Sequence, residues 1–585
     1  MTNKKKQVRP EDLPEIVRQL LERRGIIDDV EQLEFLNPSY EPKPYDPYLL
    51  PGMMAAVERL KIARDRQEKV TIYCDYDVDG TTSAAVLLDA LPRFNLIVDY
   101  YVPDRFKEGY GLNKAAIKLL KENGTNLILT VDNGIVSYDE VAYASEIGLD
   151  VIITDHHSPR NELPAAVAVV DPKILARDHP QAYDNTFRLM ADNKSQDLYP
   201  FLDLCGCGVA FKLVQALQQQ YPADLPSGQE KWLLDLVALA TVSDVVSLVD
   251  ENRSLVYWGL KVISQTKRPG LKALAAVAGL ELTEIDSQVI GFVLGPRINA
   301  AGRLANARLA VELLSTTDPA KALDLANTLN DLNNQRKSLQ LSIYEQAIKQ
   351  IKPNLPVAVA AGKDWHEGVI GIVASKVEEA VQKPTFIFSL DNKGIAHGSG
   401  RSFGDFSIAS VINVTSTMLI KGGGHAAAGG VTIDQANLSA WCKSVNDYYK
   451  SLKLVDQAKY LYPEPDLDIS NFADITVQLV QSLTLLEPFG AANHMPTFLL
   501  KNVILTSRRL MGSELQHVRY TFSDDDGHQL KAVAFNAAEV FTIEPGEFGE
   551  IIRVDALVEL TINEWNGELS VQGKLIKLDP ARQIG

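Results

Sequence analysis

Val70-Thr71-Ile72-Tyr73-Cys74-Asp75-Tyr76-Asp77-Val78-Asp79-Gly80-Thr81-Thr82 is the stretch on which the fold turns. Its first half is apolar and β-branched, the composition of a buried strand. Three aspartates at alternate positions follow, and a glycine leads into the apolar helical pattern Thr82–Leu91. Strand, acidic loop and helix in that order predict one unit of an α/β layer. The flanks continue the alternation. A helix over Ala55–Arg66 precedes it, and strand Leu96–Val102, helix Lys114–Glu122, strand Asn126–Val131, helix Ser137–Ile147 and strands Val151–Thr154 and Ala166–Val170 follow. Short apolar strands separated by helices require a mostly parallel sheet covered on both faces. Helices over Leu202–Leu217 and Gln229–Val242 close this domain, and the polar stretch His179–Leu198 reads as an inserted loop.

The rest of the chain divides by pattern. At 585 residues it exceeds one hydrophobic core, and about three or four domains are expected. Residues 1–50 read as a short helical segment ending in the proline-punctuated stretch Pro38–Pro51, and 51–250 form the α/β domain. Residues 251–352 are a helical connector whose last part, Asp318–Lys352, is one long amphipathic helix. A second α/β unit occupies 353–455. Alternating strands with turn signals at Asp524–Gly527 and Asn566–Gly567 predict a small β-barrel over 460–585.

Hydrophobic residues make up 46% and charged residues 23%, the balance of a globular protein. Four cysteines are too few for a disulfide framework, which fits a reducing cytoplasm. Cys205 and Cys207 have no second pair to complete a metal motif, and plain packing is their simpler reading. The basic N-terminus is not followed by an apolar signal segment, and no run approaches the ~18 apolar residues of a membrane span. A soluble cytoplasmic protein with no membrane partner is therefore expected. The net charge of −17 argues against coating nucleic acid through bulk positive charge, yet allows a local basic groove beside carboxylates that hold cations.

The acidic clusters give the chemistry. Asp75, Asp77 and Asp79 follow the first strand, Asp132-Asn133-Gly134 the third, and Asp155-His156-His157 the fourth. Each lies just past the carboxyl end of a parallel strand, the rim where open α/β sheets bind ligands. Close carboxylates repel one another unless protons or cations compensate. A helix cap plus solvated loop residues would explain one aspartate of the first cluster, not all three. Asp244 ends an apolar helix and needs a partner if buried, a metal or a capped turn. Carboxylates with imidazoles and no thiolate suit Mn²⁺ or Mg²⁺, and a shared carboxylate such as Asp132 would hold two ions about 3.5–4 Å apart for phosphoryl displacement.

At these residues the chain resembles the DHH phosphoesterases. The resemblance implies that Asp77, Asp79, Asp132, His156 and Asp244 are metal ligands, with Asp75 and His157 near enough to ligate, orient substrate or move a proton. Many relatives have a histidine upstream of the first aspartate, where this chain has Cys74. Pro103–Leu112, Leu294–Arg303, Leu329–Arg336, Trp365–Gly371, Gly398–Ser402, Gly422–His425, Leu486–Gly490 and Asn563–Gly567 resemble, within that group, the RecJ family. That likeness implies a metal-dependent 5′–3′ exonuclease specific for single-stranded DNA, acting in recombination and repair. A single-strand-binding protein and a helicase are its candidate partners. An oligoribonucleotide or cyclic-dinucleotide phosphodiesterase and a non-catalytic replisome scaffold are the alternatives.

Glycines 422–424 leave backbone amides open to phosphate, and Ser399, Arg401 and His425 add donors, although a tight turn would use the same glycines. Gly423, Gly424, Arg105, Tyr110 and Arg336 complete the expected nucleic-acid contacts. Arg297 and Arg303 can hold a terminal phosphate, or one of them can merely bridge two domains. Phe489, Tyr520, Phe535 and Trp565 offer stacking faces in the barrel, where most aromatics are core.

Overall fold

The computed structural model describes residues 8–40, 45–105, 107–109, 111–190, 197–454, 457–546 and 550–581. These fall into two compact units, one within Tyr45–Val246 and Trp258–Leu461, the other within Met1–Pro44, Ser247–Tyr257 and Tyr462–Gly585.

The first unit contains two sheets. One is built from β1 (Lys69–Cys74), β2 (Ile97–Tyr101), β3 (Leu127–Val131), β4 (Asp150–Thr154) and β5 (Ala168–Val170). All pairings are parallel and the strand order is β2-β1-β3-β4-β5. Strand order reverses between β1 and β3, so their carboxyl ends flank the crevice where such sheets place ligands. Every residue of β3 is buried, as a central strand covered on both faces requires. The helix Val78–Ala90 is buried along almost its whole length, between helices Gly206–Gln220 and Leu234–Ser243. Its even apolarity, rather than one apolar stripe, reflects that double cover.

The long helix runs over Pro319–Ile348, capped by Asp318, whose carboxylate accepts from Ala320 N at 2.9 Å. Its Ile343 and Ala347 enter the core of the second sheet. That sheet comprises β6 (Ala358–Lys363), β7 (Thr385–Leu390), β8 (Ile395–Arg401), β9 (Lys421–Gly424) and β10 (Ala428–Asp434), in the order β6-β7-β8-β10-β9. Only β6 and β7 are parallel. In β8 a Cβ on Gly398 would lie 2.4 Å from the Phe388 ring, and one on Gly400 2.5 Å from the Phe386 ring. Those glycines therefore face the core, and the period-2 alternation puts Ser399 and Arg401 on the opposite face.

The second unit is the expected barrel. Strands β11 (Leu467–Ile469), β12 (Thr497–Met511), β13 (His517–Ser523), β14 (Gln529–Ala534), β15 (Arg553–Trp565) and β16 (Glu568–Pro580) run in the order β11-β12-β13-β14-β16-β15. Pairing of β12 with β15 closes it. Val17, Leu20 and Leu21 of the helix Glu15–Arg23 belong to the same core as Phe498, Tyr520 and Val558. Arg253 is buried in this unit and donates to the carbonyls of Phe35, Leu485 and Glu487. Among the described residues no helix is long and apolar enough to cross a membrane.

Candidate metal centre and anion cleft

Local folding brings the acidic residues together. Past β1, Asp77 caps the helix Val78–Ala90 by accepting from Gly80 N at 3.1 Å. A Cβ on Gly80 would meet the Asp75 carbonyl at 2.6 Å, so glycine lets the helix start fold back over Asp75. Asp79 lies in the first helical turn and accepts from Gly206 N at 2.5 Å and Cys207 N at 2.8 Å. Past β3, Asp132 adopts a left-handed φ of 61°, a strained conformation of the kind that gathers at functional sites. Asn133 secures that turn by donating to the Val131 and Tyr73 carbonyls. Past β4, Asp155 accepts from the amides of His156, His157 and Ile135, and its Oδ1 lies 2.7 Å from His157 Nδ1. Asp244 caps the end of the helix Leu234–Ser243.

The donors converge. His156 Nε2 is 3.1 Å from Asp132 Oδ1 and 3.7 Å from both Asp79 Oδ2 and Asp244 Oδ2. Three overlapping groups have ligand atoms within 4.8 Å of one another: Asp132, His156, His157; Asp79, His156, Asp244; and Asp75, Asp77, Asp132. Asp132 belongs to two of them, and a carboxylate, unlike an imidazole, has a second oxygen for a second ion.

The electrostatics call for compensation by protons or by cations. Burial, then the charge of Asp77, raises Asp79 to about 7. Burial, then Asp79 and Asp77, raises Asp244 to about 9. Asp132 and Asp75 are raised well above the carboxylate range, again by burial first and neighbouring carboxylates next. His156 is lowered to about 3 by burial and by its neighbour His157, so it is neutral and fit to ligate. Burial opposes charging of His157, yet the hydrogen bond to Asp155 prevails and raises it to about 9. Both ring nitrogens of His156 and Oδ1 of Asp75 are buried without a hydrogen-bond partner. Buried polar atoms of this kind ordinarily have partners, and two divalent ions fit the donor set.

Asp77 also opens onto a cleft of about 770 Å³. Tyr76, Arg105, Arg303, Ser399, Arg401, Lys421 and Gly423 line it. Arg105 lies over the Tyr76 ring at 4.9 Å, Arg303 donates to the Gly368 carbonyl, and Arg401 donates to Ser375 and Ser399. Burial, then repulsion from Arg105 and Arg336, lowers Arg303 to about 10. A chain of net charge −17 thus gathers cations at one place, next to its metal-binding rim. Glycines 422 and 423 lie on β9, the edge of the second sheet.

Not every expected contact is in the cleft lining. Arg297 donates to Asn330 and the Val293 carbonyl. Arg336 bonds Asn333 and Gln340 along its own helix. Gly424 and His425 are exposed outside the lining, and Tyr110 lies outside the described residues. Phe489 and Tyr520 are core, whereas Phe535 and Trp565 are exposed.

Sequence reasoning missed the partners of the ligands. Cys205 caps the helix Gly206–Gln220 through Sγ, while the next two amides hold Asp79. Plain packing therefore understates that Cys-Gly-Cys-Gly run. Asn299 accepts from Val78 N beside Asp77, and Asp155 orients His157; only the run Asp155-His156-His157 itself hinted at the latter.

Comparison with known proteins agrees in order and extent. The DHH family N-terminal domain matches residues 69–241, the DHHA1 domain 354–451 and the RecJ OB domain 466–577. The single-stranded-DNA-specific exonuclease RecJ of Bacillus subtilis is 36% identical over 562 residues, 95% of this chain and 67% of that protein. Its counterpart in Haemophilus influenzae is 33% identical, over 92% of each. The crystal structure of RecJ from Thermus thermophilus in complex with Mn²⁺ matches with a TM-score of 0.76 and 28% identity, covering 96% of this chain and 76% of that one.

Proposed function

The chain belongs to the RecJ family of DHH proteins, and we propose that it removes nucleotides one by one from the 5′ end of single-stranded DNA. It is a metal-dependent, single-stranded-DNA-specific exonuclease. The observation that carries this reading is the buried carboxylate and histidine cluster, short of positive charge, whose Asp77 opens onto a cleft of cations.

In this proposal Asp77, Asp79, Asp132, His156 and Asp244 would hold two Mn²⁺ or Mg²⁺ ions, with Asp132 common to two of the donor groups and Asp75 completing the set. Such ions, when bound, would make water a better nucleophile at neutral pH and offset charge on the phosphoryl oxygens. The chain's own groups do the rest. Gly206 N and Cys207 N fix the Asp79 carboxylate, and Asp155 fixes the ring of His157. Protonated His157 donates toward the reacting phosphodiester. Arg303, Arg401 and Ser399 hold a phosphate of the bound end, and Arg105 and Lys421 attract the strand. A helicase, which exposes single strands, and a single-strand-binding protein, which covers them, are its proposed partners in the cytoplasm.

Purified protein with Mn²⁺ should release labelled mononucleotide early from 5′-labelled single-stranded DNA and late from 3′-labelled DNA, with EDTA stopping both. Release from neither end, or first release from the 3′ end, would contradict the proposal.

A further inference from the structure

The motif Leu294–Arg303 has work left over once Asn299 and Arg303 are placed. Just before it, Ile290–Leu294 forms a π-helical turn, an irregularity frequent at functional sites. Phe292 in this turn is 77% exposed, the highest figure among the large hydrophobics exposed in the described structure. The turn is held against the segment that ends in Asp244. Gly291 lies over Val242, and a Cβ on Gly295 would stand 2.7 Å from Ser243 Oγ. Arg297 braces the turn by donating to the Val293 carbonyl at 2.7 Å and to Asn330 at 3.1 Å. Val245, directly after Asp244, is 71% exposed with a left-handed φ of 61°, a strained state for a β-branched residue.

We propose that Phe292, with Val245 on the adjoining turn, is a stacking shelf for one unpaired base of the strand whose backbone lies at the metal centre. This rests on the exonuclease reading above. A strand bound by its phosphate beside Asp244 must place its nearest bases within about one nucleotide of that residue. The turn that carries Phe292 packs on Val242 and Ser243, and Val245 follows Asp244 in the chain, so apolar side chains are carried by the segment that also supplies a charged group, the same division that a nucleotide has between base and phosphate. An aromatic face reads no base edge, so it suits an enzyme that digests any sequence. Arg297 is then a positioning residue for the shelf, which accounts for its place outside the cleft lining.

The test uses the full chain with Mn²⁺, as wild type, Phe292→Ala and Phe292→Tyr. Substrates are a 5′-phosphorylated single strand and the same strand with one abasic position walked along it. Stacking of one base accounts for about a 5- to 150-fold gain in binding. Phe292→Ala should raise KM by that order with kcat within about twofold, and Phe292→Tyr should retain wild-type KM. A single abasic position should impose the same rise on the wild type and none further on Phe292→Ala. Unchanged KM in Phe292→Ala, or equal losses at every abasic position, would overturn the shelf. A wild type that leaves single strands intact would instead overturn the exonuclease reading on which it rests.

Discussion

Replacing Gly206 by alanine adds one methyl group at the most crowded point of the metal centre. The new Cβ would stand 2.7 Å from Asp132 Cβ, 3.0 Å from Asp132 Cα and 2.9 Å from Asp79 Oδ2. Asp132 Cα and Cβ cannot swing aside and the Asp79 carboxylate is fixed by two amides, so the start of the helix Gly206–Gln220 must retreat. Retreat stretches the hydrogen bonds from Gly206 N and Cys207 N to the buried Asp79. Hydrogen bonds to a charged group contribute about 1.5–3 kcal/mol each. Removing partners that orient a metal ligand typically lowers metal affinity or activity about 10–100-fold. Gly206→Ala should therefore weaken Mn²⁺ binding by about 10–100-fold, read by isothermal titration, with exonuclease rates falling in parallel at limiting metal. Cys207→Ser is the matched control, because it keeps the amide that reaches Asp79 and should bind Mn²⁺ like the wild type. A melting curve of the metal-free proteins separates this effect from misfolding. Folded Gly206→Ala with Mn²⁺ affinity within twofold of wild type would show that these two amides do not hold Asp79 for the metal.

Three further outcomes follow from the same geometry. Asp132→Ala should abolish hydrolysis at saturating Mn²⁺ while the circular dichroism spectrum persists; near-wild-type turnover would remove the shared-ligand role. In metal-free protein, Asp79 at about 7 and Asp244 at about 9 lie above their unfolded value of 3.8. Folded protein then holds more protons than unfolded between those limits, so its stability should fall as pH rises from about 4 to 9, and Mn²⁺ should flatten the fall in Tm. On the barrel, Arg509 pairs with Arg519 across β12 and β13, and Lys531 on β14 faces Thr521. Replacing Arg509, Arg519 and Lys531 by glutamate should raise KM for long single strands and reduce its salt dependence, with little change for very short oligonucleotides; equal effects at both lengths would assign that face another role.

The catalytic layer was legible because its signals are local. The run Lys69–Thr82 carries strand, acidic loop and helix start in one stretch, and Asp132 and His156 follow the same strand-end rule. Expectation and structure parted where a residue's work depends on distant neighbours. Gly206 is a glycine because Asp79 and Asp132, far away in sequence, approach it. Arg297 and Arg303 look alike in one motif, yet successive helical turns point one at Asn330 and the other into the cleft. Gly398 and Gly400 flank Ser399, and nothing in the sequence shows that they make room for two phenylalanine rings. The barrel aromatics carry no mark of inside or outside until strand register is known, and β13 turns Tyr520 into the core. Val17, Leu20 and Leu21 of the helix Glu15–Arg23 join a barrel core more than 400 residues later, a partner that no local pattern in the sequence indicates.

The cation-lined cleft is proposed to deliver a single strand, and not a duplex, to the metal centre. A duplex is about 20 Å across, wider than a channel that tracks one backbone. The most direct measurement follows Mn²⁺-dependent digestion of one duplex in two forms, blunt-ended and with a single-stranded 5′ overhang. The overhang should be trimmed to mononucleotides back to the junction while the blunt duplex persists. Digestion of the blunt duplex at the rate of the overhang would contradict single-strand delivery.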